Sequence, residues 1–61
     1  MLKVDDEVVC HDKGSWTDGL KFVVKKLFVT SSDGIKGHLL QGSDGVTVQP
    51  EHCLTLVDRG G

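Results

Sequence analysis

Apolar and polar residues alternate along this chain in short runs of period two, separated by glycine-rich polar breaks. Residues 7–11 open the pattern, with Val8 and Cys10 on one face and Glu7, Val9 and His11 on the other. Residues 20–30, LKFVVKKLFVT, form the longest regular run. Leu20, Val23, Val24, Leu27 and Phe28 also fit helical spacing, so a helix is the rival reading. The β-branched content, the flanking glycines and the absence of alanine favour a strand. Phe22 and Val24 share one face, Leu27 and Val29 another, and the phase slips across Lys25-Lys26. A bulge or sharp bend is expected there, letting one long strand wrap from one layer into the next.

Ser31-Ser32-Asp33-Gly34 and Gly42-Ser43-Asp44-Gly45 both end in Asp-Gly, which marks tight hairpin turns. Between them residues 35–41, IKGHLLQ, place Ile35, Gly37 and Leu39 on one face; Gly37 suggests a bulge or a close backbone approach. A fourth strand covers 45–49. The single proline, Pro50, has a fixed φ and no N–H to donate, so the ladder should stop at Gln49. One 3₁₀ turn then leads into a last strand at 53–57. In that strand Leu54 and Leu56 face in and Cys53 and Thr55 face out. The result is a single domain of five short strands over residues 1–61, with a frayed tail at 58–61.

With 61 residues there is room for one core, and a chain this short hides only ~60% of its unfolded surface. Charged residues make up 26% and the formal charge is −2, giving no global attraction to nucleic-acid phosphates. No apolar run approaches the roughly 18–20 residues that span a bilayer, so no membrane association is expected. The start, MLKVDDE, lacks the apolar centre of a secretory signal, and a cytoplasmic location is expected. The two cysteines then read as free thiols.

Three segments carry a family resemblance. VDDEVVCHD resembles the V-G-D-x-V-V-C opening of small SH3-like β-barrel proteins of the phage and prophage type. DGLKFVVKKL resembles their second strand, x-G-K-x-Y-x-V, with Phe22 at the tyrosine and Val24 at the valine. PEHCLTLV resembles their ending, P-x-x-R-F-x-L-V, with Pro50 at the proline, Leu54 at the core aromatic and Leu56 at the core leucine. Asp5 stands at the glycine of the opening, and Cys53 at the arginine of the ending. The resemblance implies an all-β, five-stranded SH3-like barrel whose 3₁₀ turn precedes the last strand. It also implies a small phage or prophage accessory protein, cytoplasmic in its host, that binds a host or phage protein.

Candidate chemistry is sparse. Trp16 lies mid-loop in KGSWTDG, and tryptophan is enriched at binding hot spots. Trp16, Thr17 and Asp18 are therefore the candidate partner-binding residues; the alternative is that Trp16 folds back as a lid over the core. Lys21, Lys25, Lys26 and Lys36 are candidates for a basic stripe that meets phosphates, as in KOW-like modules. Their plainer role is a solvated face that discourages edge pairing. Cys10-His11 and His52-Cys53 each pair a thiol with an imidazole, and His38 is a possible extra ligand for zinc. Neighbours on a strand point to opposite faces, however, so these pairs chelate poorly, and no metal or other cofactor is expected. Nor does a thiol beside its own neighbouring imidazole make a productive nucleophile, and no enzymatic activity is expected. The reading is a protein-interaction module, with a possible homodimer covering exposed edges.

Overall fold

The computed structural model describes residues 2–57; the expected fraying at 58–61 lies outside them. Five strands form: β1 (Glu7–Cys10), β2 (Lys21–Thr30), β3 (Lys36–Gly42), β4 (Gly45–Gln49) and β5 (Leu54–Leu56), with a 3₁₀ turn at Glu51–Cys53. Of the run 20–30, residues 21–30 are strand and none is helix. All pairings are antiparallel, in the order β4-β3-β2-β1-β5. The expected all-β architecture of five strands, with a 3₁₀ turn before the last, is present. The sheet is open, and its edges β4 and β5 do not pair with each other.

The pleat assigns the faces. Val8 opposes Phe22, Val24 opposes Leu40, and Cys10 opposes Leu54, which puts these side chains on one side of the sheet. Val8, Cys10, Phe22, Val24 and Leu40 form the buried core together with Leu2, and Leu20, Leu27 and Leu54 pack against it. Leu56 opposes Val8 and so shares the inner side, yet it remains 53% exposed at the sheet edge. The inward phase of the last strand is right, but only Leu54 contributes substantially to the core. Cys53 sits in the 3₁₀ turn, half-buried, and not on the outer face of β5.

β2 carries two irregularities where its sequence shows one phase slip. Val24 pairs with Leu40 but Lys26 with Leu39, and Lys26 with Leu39 but Val29 with Gly37. Each step spends one more residue on β2 than on β3, as a bulge does. The second holds Phe28 at φ 54, a left-handed conformation that costs a bulky side chain energy. Lys26 and Leu39 therefore occupy the outer side with Val23, whereas Lys36 shares its parity with buried His38 and Leu40.

Gly37 has no room for a side chain. A Cβ there would run into the Gln49 carbonyl and lie 2.7 Å from the Pro50 nitrogen. The chain leaving β4 thus crosses directly over β3, and glycine at this position is a packing requirement. Gly34 also has a positive φ, 85°, but faces open space. Gly37→Ala should therefore destabilise the fold by more than the ~1–2 kcal/mol expected of Gly34→Ala from backbone strain. Chemical denaturation of the two variants checks the order, and equal losses would refute the close approach.

Candidate functional site

The loop between β1 and β2 is held from within. The Gly19 N–H donates to the Cys10 carbonyl at 2.8 Å, the Ser15 N–H to the Asp12 carbonyl at 2.9 Å, and the Leu20 N–H to the Thr17 carbonyl at 3.1 Å. The Asp12 N–H reaches the Asp18 carboxylate at 3.1 Å. These bonds fix which loop residues point in and which point out.

Thr17 points in and is completely buried. Its hydroxyl donates to the Ser15 hydroxyl at 3.1 Å and accepts from the Cys10 thiol at 3.5 Å and the Gln49 side-chain amide at 3.4 Å. One donor and two acceptor positions are all a hydroxyl offers. Among the described residues no buried side-chain nitrogen or oxygen lacks a partner. Thr17 is thus a structural anchor, and only Trp16 and Asp18 of the three candidate partner-binding residues present side chains to solvent.

Trp16 points out. Its ring meets Phe22 edge to face, with centroids 6.1 Å apart and planes at 75°, a favourable aromatic geometry. The tip of the indole also lies over Gly45 at the start of β4, 3.4 Å from where a Cβ would stand. Even so, 55% of the residue is exposed. The two readings of Trp16 merge: one edge covers Phe22 while the rest faces water.

Lys21, Lys25, Lys26 and Lys36 are all exposed. Lys21 and Lys25 line one groove with Glu7 and Gln41. The strand parity of Lys36 takes it to the other side of the sheet, so the four lysines do not form one stripe.

The residues considered for zinc separate by environment. Cys10 is buried in the core and Cys53 half-buried in the 3₁₀ turn, while His11 and His52 are exposed. The two Cys-His pairs do meet through the main chain, where the His11 N–H donates to the Cys53 carbonyl at 2.6 Å. Among the described residues, no group of three or more His, Cys, Asp or Glu side chains is placed to hold a metal ion. Burial pushes the Cys10 thiol above its ordinary value of 9.0, the Thr17 hydrogen bond opposes this, and the nearby Asp12, Cys53 and Asp18 add to the rise. A reactive thiol needs the opposite shift.

A second cluster was not visible in the sequence. His38 is 3% exposed, and its Nδ1 accepts the Phe28 N–H at 3.2 Å. Its Nε2 lies 3.4 Å from the Glu51 carboxylate. Neutral histidine satisfies both contacts when Nε2 carries the hydrogen, because Nδ1 must then be the acceptor. The Phe28 ring stands edge-on to the imidazole at 5.2 Å and is 80% exposed. The only signal in the sequence was the phase slip at Lys25-Lys26. It does not reveal the second bulge or the pairing of residues 28 and 38.

Comparison with family models, with curated proteins and with solved structures finds no match for this chain. Among the described residues, no helix is long and apolar enough to cross a membrane.

Two outcomes follow from the Cys10–Thr17 contact. Iodoacetamide at pH 8 should modify Cys53 and spare Cys10 in the folded protein, with both modified after unfolding; mass spectrometry of the peptides reads this out. Because the folded thiol titrates higher than the unfolded one, its contribution to stability is full below about pH 9 and declines as the pH rises further. Separately, Thr17→Val removes the hydroxyl and leaves the Gln49 amide without this partner. It should cost roughly 1–3 kcal/mol by chemical denaturation.

Proposed function

We propose that this chain is a small SH3-like module that recognises another protein, without enzymatic activity. Several features support the SH3-like part. The strands run as a meander bracketed by β5 at one edge, β2 is long and bulged, and a 3₁₀ turn leads into β5. Asp5 adds a local detail: it stands at the glycine of the resembled opening and takes φ 77, a conformation glycine adopts without strain.

The observation that carries the binding role is Trp16. A large aromatic is held more than half exposed on a loop pinned at Thr17 and at the Asp12–Asp18 contact. A pre-ordered aromatic loses little freedom on binding, which is why such residues become anchors. Asp18, exposed beside it, supplies a negative charge at the rim. The buried, raised Cys10 thiol supports the absence of nucleophilic chemistry. A KOW-like contact with nucleic acid through Lys21, Lys25 and Lys26 is the second reading. The same outer groove contains Glu7, which weakens it.

Affinity capture from a bacterial lysate, with and without nuclease, tests the two. Trp16→Ala should weaken a nuclease-resistant protein partner by about tenfold or more while the fold persists. The Lys25→Glu, Lys26→Glu double variant should retain that partner. Recovery that depends on the lysines and vanishes with nuclease would replace this reading with the nucleic-acid one.

A further inference from the structure

A cleft of about 410 Å³ lies on a different part of the molecule from Trp16, between the far half of β2, the start of β3 and the 3₁₀ turn. Phe28, Lys36, His38 and Glu51 are the side chains that give it character. Its aromatic wall is unusual in two ways at once. Phe28 is the most exposed of the large apolar side chains among the described residues, at 80%, and it is held at φ 54. Strain of this kind persists only where neighbours enforce it. Here the enforcing contact is the Phe28 N–H bond to His38 Nδ1, and Glu51 faces the other ring nitrogen. The ring is therefore presented to solvent by a buried support.

Charge defines what the cleft would accept. Glu51 is 59% exposed and uses one carboxylate oxygen towards His38. Lys36 precedes His38 by two positions on the same side of β3, which places it about 6.8 Å along the strand. No ion pair joins Lys36 to Glu51 among the described residues. The cleft thus offers an anionic end, an exposed aromatic ring and a cationic end.

We propose that this cleft binds an extended peptide segment carrying a basic and an acidic residue two positions apart. Its arginine or lysine lies against the Phe28 ring and Glu51, combining a cation–π contact with an ion pair. Its aspartate or glutamate meets Lys36, and the spacing of like-facing residues on an extended chain matches that of Lys36 and His38. The site is independent of Trp16.

The probe is the blocked tripeptide acetyl-Asp-Val-Arg-amide, titrated into ¹⁵N-labelled protein, with acetyl-Asn-Val-Gln-amide as the neutral control. The charged peptide should shift the Phe28, Gly37 and His38 amides with a Kd on the order of 1 mM, as suits a few small contacts. Glu51→Gln and Lys36→Gln should each weaken it about fivefold, and Phe28→Ala should abolish it. These residues are exposed, so the variants should keep the amide pattern of the folded protein. Trp16→Ala should leave this binding unchanged, which separates it from the interaction role proposed above. Equal shifts with the neutral peptide, no shifts at about 10 mM charged peptide, or insensitivity to Glu51→Gln and Lys36→Gln would each overturn the proposal. So would a Phe28-dependent dimer in sedimentation that excludes the peptide, since a second copy would then be the occupant.

Discussion

The Thr17 hydroxyl is where the two halves of this molecule meet. Thr17 follows β1 in the chain, whereas Gln49 ends β4, which lies beyond β3 and β2 in the sheet order. A hydrogen bond between them at 3.4 Å requires the sheet to curve so that its inner side brings them together. The same hydroxyl binds the Cys10 thiol in the core and the Ser15 hydroxyl in the loop. One buried oxygen therefore ties the first strand, the loop and the fourth strand into a single unit. Among the described residues the apolar core has six buried members, and this junction adds a buried polar tie to them. It succeeds because all its partners are satisfied; a half-satisfied buried network would cost more than it returned.

β2 is the strand that carries the irregularities able to bend the sheet. Its two bulges add residues against β3 and turn the strand, and they also decide what each end of the molecule shows to solvent. At one end Phe22 is buried and Trp16 lies across it with most of its surface free. At the other, the second bulge turns Phe28 outward over His38. Both exposed aromatics thus rest on buried supports, Phe22 in one case and a hydrogen-bonded imidazole in the other. This shared construction explains why a small domain tolerates two exposed rings without losing its core.

The cysteines show how the same residue type takes different roles from its surroundings. Cys10 is a small core residue whose thiol is held protonated by burial, while Cys53 caps the chain's return to β5 through its carbonyl contact with His11. The two Cys-His pairs meet through backbone geometry and not as a ligand set. Adjacent residues on a strand diverge, and Cys53 lies half-buried in the 3₁₀ turn while Cys10 is buried in β1.

Local rules in the sequence determined the five strands, the two Asp-Gly turns, the bulge at Lys25-Lys26 and the 3₁₀ turn after Pro50. Each of these depends on neighbours in the chain: alternation, fixed proline φ, or a turn residue at a fixed offset. The inner positions of β1 and β2 were legible for the same reason, and Gly37 announced a bulge or a close approach without deciding which. Only the tertiary structure decided that Thr17 faces in while Trp16 faces out, that Leu56 stays at an open edge, and that Lys36 leaves the side of the other lysines. It alone placed Phe28, His38 and Glu51 together. Those outcomes depend on register between strands and on contacts between distant segments, where one added residue in a bulge changes which side chains meet.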